Sequence, residues 1–140
     1  MKTGRNILIA DDDEHAIKSL ENLIQNEWED CIFYTVKNGK GARQLYRINK
    51  PLYAAFLDKC MPDEGDFPEH STGLRLAKDF SMDDPQLPLV IISNDFGSRN
   101  IDLYRTAYAN FPKIRFLAKG DGQGLMEILH DISNCCLSRS

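Results

Sequence analysis

Four short apolar runs in this 140-residue sequence each end in polar groups that could do chemistry. Residues 7–10 run into Asp11, Asp12 and Asp13; residues 53–57 into Asp58; residues 87–92 into Ser93 and Asn94; residues 114–118 into Lys119. Gathered in one place, these groups make an oxygen-rich site with one ammonium. Clustered carboxylates repel one another, so the acids themselves call for a cation. A hard ion such as Mg2+ prefers carboxylate and carbonyl oxygens and usually shares its shell with a phosphate. A lysine pairs with a phosphoryl oxygen as a point charge. A serine hydroxyl donates to another. A carboxylate can attack phosphorus and form an aspartyl phosphate. Metal, positive charge, donor and nucleophile are together the parts of phosphoryl transfer.

Singly, each residue has a plainer role. Acids at the head of a helix cap it and favour its dipole. Asp58 suits a turn, and Lys119 beside Gly120 suits a solvated one. Their joint position after four apolar runs is what favours chemistry, and it depends on the elements around them.

Residues 6–10 form a continuous apolar run, which suits a strand buried on both faces. Residues 14–28 follow with Ile17, Leu20, Leu23 and Ile24 at helical spacing. Cys31–Val36 is aromatic and β-branched and reads as a second strand. Asn38-Gly39 breaks the chain before a helix with Ala42, Leu45 and Ile48 inward. A third strand spans residues 53–57, and Ser71-Thr72 caps a helix holding Leu76, Ala77 and Phe80. The fourth strand spans residues 87–92. Ser98 caps a helix with Ile101, Tyr104 and Ala107 or Tyr108 inward. Ile114–Ala118 is the fifth strand, and a helix over residues 122–137 carries Leu125, Ile128, Leu129, Ile132 and Cys136 on one stripe. Strands alternating with helices predict an α/β domain, a five-stranded parallel doubly wound sheet covered on both faces. Ligands of such sheets sit beyond the carboxyl ends of the strands, at a topological switch point. Strand two ends in Lys37-Asn38 and offers no acid, as expected of an edge strand.

Net charge is −4, which lacks the basic footprint of general nucleic-acid binding. No apolar run approaches the ~18 residues of a membrane span, and none matches a secretory signal. Cys31, Cys60, Cys135 and Cys136 have no CxxC spacing and read as free thiols in a reducing cytoplasm. His15, His70 and His130 lie far apart, none at ligand spacing from a cysteine, so zinc is not expected and all three read as solvated surface. Cys136 is expected in the core or on the surface rather than acylated, and Trp28 at a rim.

The sequence resembles the receiver domain of bacterial two-component response regulators, over nearly its whole length. The resemblance is carried by ILIADDD at residues 7–13, LDKCMP at 57–62, VIISN at 90–94 and FLAK at 116–119, with Asn38-Gly39 and Ala42 similar to the family's second loop. It implies a (βα)5 flavodoxin-like fold with strand order 2-1-3-4-5. By the same resemblance Asp58 is the phosphoacceptor. Asp11 and Asp12 are the pair that holds Mg2+, with Asp12 the direct ligand, and the backbone carbonyl of Cys60 is a further ligand. Ser93 follows the phosphoryl group on activation, Lys119 pairs with a phosphoryl oxygen, and Phe116 is the aromatic switch residue. Cys60 and Asn94 sit where the family tunes the lifetime of the phosphorylated state. The implied partners are a sensor histidine kinase or histidine phosphotransfer protein and a downstream protein target, with no direct nucleic acid.

The sequence departs from the family in three stretches. Met61-Pro62 is followed by ten residues before Gly73, an insertion at about 63–72 that carries Asp63, Glu64, Asp66, Glu69 and His70. Lys119 precedes Gly120 instead of proline. The segment between Ser93 and Lys119 is several residues longer than usual. The whole sequence, 1–140, reads as a single receiver domain, with room after Lys119 for about one helix and no DNA-binding output domain. It is expected to be a signalling switch, stand-alone or a fragment of a longer regulator, and not a metabolic enzyme beyond its own phosphorylation and dephosphorylation. Two other readings remain. One is a pseudo-receiver that docks proteins without phosphorylation. The other is a haloacid dehalogenase-like phosphatase with Asp11 as nucleophile, which would need a late acidic pair and a cap that the sequence lacks.

Overall fold

A computed structural model describes residues 4–137. The order is β1 (Arg5–Ala10), α1 (Glu14–Glu27), β2 (Cys31–Val36), α2 (Gly39–Asn49), β3 (Ala54–Asp58), β4 (Met61–Pro62), β5 (Pro68–Glu69), α3 (Thr72–Asp83), β6 (Leu89–Ser93), α4 (Ser98–Ala107), β7 (Ile114–Ala118) and α5 (Gly122–Leu137). Five strands pair in parallel in the order β2-β1-β3-β6-β7. Counting only these, the order is the expected 2-1-3-4-5.

The continuous apolar runs become inner strands because side chains on both faces must be covered. Alternation along β1 sends Ile7 and Ile9 to one face and Leu8 and Ala10 to the other. Ile17 and Ile24 of α1 and Leu125, Leu129 and Ile132 of α5 close the first face. Ala42, Leu76, Phe80 and Ile101 of α2, α3 and α4 close the second. The edge strand β2 has no fully buried residue, which matches its one-sided pairing.

Several expected faces shift. On α2 Ile48 is 77% exposed and Tyr46 is buried in its place. The Tyr46 ring stacks on Phe80 at 4.2 Å and its hydroxyl donates to Asp83 at 2.6 Å, so it satisfies both ends of an amphipathic side chain. Leu23 stands at the shoulder of α1 and is exposed, and Ala107 is exposed while Tyr108 packs inward. Trp28 is a core residue rather than a rim one, set edge-on to Tyr53 at 4.9 Å. The cap position of α4 is Gly97, and Ser98 is the first helical residue. Ser71 caps α3 without a side-chain hydrogen bond, whereas the buried Thr72 hydroxyl donates to the Met61 carbonyl at 2.6 Å. The side chain of Cys136 lies outside the described set.

The insertion is a small antiparallel hairpin, β4–β5, pairing Met61 with Glu69 and Pro62 with Pro68. Asp63 anchors it. Its carboxylate pairs with Arg43 at 2.5 Å and Arg75 at 3.2 Å, and its carbonyl accepts the Lys40 N–H at 2.9 Å. Glu69 also pairs with Arg75, at 3.0 Å. Two of the four inserted acids are thus neutralised, leaving Glu64 and Asp66 exposed to solvent.

Candidate functional site

Four strands deliver the candidate residues to one edge of the sheet. Between β1 and β3 the order reverses, since β1 pairs with β2 on one side and with β3 on the other. Loops leaving a sheet at such a point diverge and open a crevice. Main-chain bonds fix the loops there. The Asp11 N–H donates to Val36, Lys59 N–H to Ile92, and Lys119 N–H to Ser93 at 2.9–3.0 Å. α3 starts tightly against the β3 loop: a Cβ on Gly73 would collide with the Asp58 carbonyl, so only glycine fits.

The acidic triplet divides its work. Asp13 caps α1, its carboxylate accepting the His15 N–H at 3.0 Å, which is the plain role foreseen for such acids. Asp11, buried, accepts the Asp13 N–H at 2.9 Å and faces the crevice, while Asp12 is exposed at its mouth. Asp58 is also buried, and its carboxylate accepts the Cys60 N–H at 3.3 Å. Oxygens of Asp11, Asp12 and Asp58 lie within 4.8 Å of one another. The Lys119 ammonium spans the pair, 3.4 Å from Asp11 and 3.8 Å from Asp58. The next residue, Gly120, has φ +87°, a left-handed turn that glycine adopts without strain, and the Lys119–Gly120 peptide is not cis.

One ammonium does not balance the buried acids. Burial first, and the Asp11 charge second, push the Asp58 carboxyl up to about 7, against the pull of Lys119 and the Cys60 N–H. Burial disfavours the charge on Lys119, but Asp58 and Asp11 outweigh it and hold its pKa above the ordinary value. A site of hard oxygens with an excess of negative charge fits Mg2+ in donor chemistry and in charge. Asp11, Asp12 and Asp58 are the groups that would hold it.

Ser93 is buried, and its hydroxyl accepts the Asp95 N–H at 3.0 Å. Phe116 is inward, in a cluster with Phe96, Tyr104 and Tyr108 at ring separations of 5.5–5.8 Å. The expected switch pair therefore lies on adjacent strands, β6 and β7.

The geometry also recruits residues that sequence spacing did not single out. Lys59 is buried and pairs with Asp95 at 3.7 Å. The hairpin folds His70 back onto Cys60, Nδ1 to Sγ 3.8 Å, although ten residues separate them. The spacing argument against a cysteine–histidine pairing fails here, because spacing registers only ligands on one local element.

No protein-family model and no curated protein matches the sequence. Solved structures do match. A response regulator receiver domain protein from Clostridium thermocellum aligns with TM-score 0.73 at 15% identity, over 97% of this chain and 99% of its own. The fold is that of a receiver domain. A CheY-like response regulator receiver domain protein from Methanospirillum hungatei gives TM-score 0.72 at 15% identity, over 97% and 99% of the two chains. The N-terminal domain of an uncharacterized protein from Wolinella succinogenes gives 0.71 at 22% identity, over 98% and 100%. The receiver fold is thus matched across nearly its full length while the sequences have diverged widely. No helix among the described residues is long and apolar enough to cross a membrane.

Proposed function

We propose that this chain is a single receiver domain, residues 1–140 with a hairpin insertion, that acts as a phosphorylatable signalling switch in the cytoplasm. The observation that carries the reading is the buried Asp58 carboxylate at the end of β3, beside Asp11 and Asp12 and 3.8 Å from Lys119, in a receiver fold. An Asp58 oxygen attacks the phosphorus of a phosphohistidine on a histidine kinase or phosphotransfer protein. The P–N bond breaks, and the imidazole leaves with the electron pair and takes a proton from solvent. Lys119 holds one phosphoryl oxygen as a point charge. The Ser93 hydroxyl gives up the Asp95 N–H and turns to donate to another. Mg2+, when bound at Asp11, Asp12, Asp58 and the Cys60 carbonyl, would neutralise the oxygens that gather charge. Phe116 then repacks in the space that Ser93 leaves, and the α4–β7–α5 face presents the altered surface to a downstream protein.

The test is mass spectrometry after incubation with Mg2+ and acetyl phosphate. The wild type is expected to gain one phosphoryl group, and Asp58→Asn none. Labelling that survives in Asp58→Asn would move the chemistry to Asp11, and no labelling of the wild type would leave a docking module without phosphotransfer.

A further inference from the structure

A second cluster of ligating groups lies beside the acidic crevice and uses none of its carboxylates. The Cys60 thiol is 3.8 Å from His70 Nδ1 and 3.7 Å from Asp95 Oδ2. One ligand atom from each of the three residues lies within 4.8 Å of the other two. They come from three segments: the loop after β3, the end of the inserted hairpin, and the loop after β6. A tetrahedral ion with sulfur at ~2.3 Å and nitrogen or oxygen at ~2.0–2.2 Å sets its ligand atoms roughly 3.3–3.7 Å apart. The two separations to sulfur need to close by only a few tenths of an ångström, and the His70 and Asp95 ligand atoms, within 4.8 Å of each other, draw together as the ion enters.

We propose that Cys60 Sγ, His70 Nδ1 and an Asp95 carboxylate oxygen bind a divalent ion of the Zn2+ class, with water in the fourth position. Thiolate and imidazole favour such an ion over Mg2+, so the two sites sort metals by ligand softness. The thiol gives its proton to buffer as the ion enters. A positive charge is already held at this place: the Lys59 ammonium is 3.7 Å from Asp95 and 3.9 Å from the Cys60 sulfur. Lys59 borders a cleft lined by Asn100, Leu103 and Tyr104, with its ammonium 5.7 Å from the Tyr104 ring centre. It can rest over that ring when the metal takes Asp95. The ion would pin the hairpin to the β6 loop through Cys60, two residues from Asp58, so its occupancy sets how open the crevice is. The site stands on its own geometry and does not require Asp58 to be phosphorylated.

Co2+ titration in excess Mg2+ tests it, because thiolate-to-cobalt charge transfer absorbs in the near ultraviolet and tetrahedral ligation gives intense visible bands. The wild type should bind one equivalent with both signatures, and Zn2+ should displace it. Cys60→Ser should lose the thiolate band. His70→Ala, at an exposed position that does not threaten folding, should weaken binding at least ~10-fold. Asp58→Asn should keep both signatures, which separates this site from the phosphotransfer reading. A wild type without the thiolate band, a band that survives in Cys60→Ser, or binding unchanged in His70→Ala would overturn the assignment.

Discussion

Asp58 and Asp63 are five residues apart, and the fold treats their carboxylates in opposite ways. Asp63 lies between Arg43 and Arg75, with its side chain 17% exposed, and the hydrogen bond from Arg43 is the main reason its pKa falls below the ordinary value. Asp58 is buried with a second acid and a shared lysine, and its pKa is pushed up to about 7. Asp58 is the last residue of β3, and Asp63 follows β4 in the inserted hairpin. The difference is the count of cations within reach. A carboxylate with two guanidiniums is satisfied and holds structure in place. A carboxylate with more acids than cations around it leaves charge unbalanced, and an incoming ion can relieve it.

The largest expected contrast is in chemistry. Asp58→Asn should abolish phosphoryl incorporation, while Asp63→Asn should keep it, as read by phosphate labelling with acetyl phosphate. Loss of labelling in both variants would mean that the hairpin anchor is part of the reaction rather than its frame.

The pH dependence of stability comes next, with opposite signs. A raised carboxyl pKa makes a contribution that is full below the unfolded value near 3.8 and is lost as pH rises through about 7. In metal-free buffer Asp58→Asn should therefore raise Tm at pH 8, and the gain should shrink toward pH 4. A depressed pKa makes a contribution that is full above 3.8 and is lost as pH falls through the folded value. Asp63→Asn should lower Tm at pH 7, and this loss should fade in acid. Thermal melts of both variants from pH 3 to 8 read the contrast, and parallel curves would remove it.

Metal should narrow the gap. Mg2+ should raise the wild-type Tm at pH 8 by relieving the repulsion at Asp58, and Asp12→Ala should remove most of that rise. An unchanged rise in Asp12→Ala would place the ion elsewhere.

The smallest effect is within the anchor itself. The Arg75 side chain is 43% exposed, so Arg75→Ala should cost no more than about 1 kcal/mol in denaturant melts. Arg43, less exposed and closer to Asp63, should cost more. A reversed order would shift the anchor to the Glu69–Arg75 pair.

Much of this architecture is legible in the sequence alone. Ile114–Ala118 and residues 122–137 become β7 and α5 with the bounds read from the sequence. Continuous apolar runs ending in Asp11, Asp58 and Ser93 declare the inner parallel strands β1, β3 and β6, because burial on both faces leaves a local mark, and the run ending in Lys119 becomes the edge strand β7. What the tertiary structure decided is pairing across the chain. Asp13 turned to cap α1 while Asp11 faced the crevice, a choice set by which N–H groups each could reach. Tyr46 displaced Ile48 from the interior because Phe80 and Asp83 of another helix receive its ring and its hydroxyl. Asp63 found Arg43 and Arg75, and Cys60 found His70 and Asp95, through a hairpin whose closure no periodicity announces. Periodicity reports the face on which a residue lies within its own element. Its partner on another element depends on how the loops close, and only the folded chain fixes that.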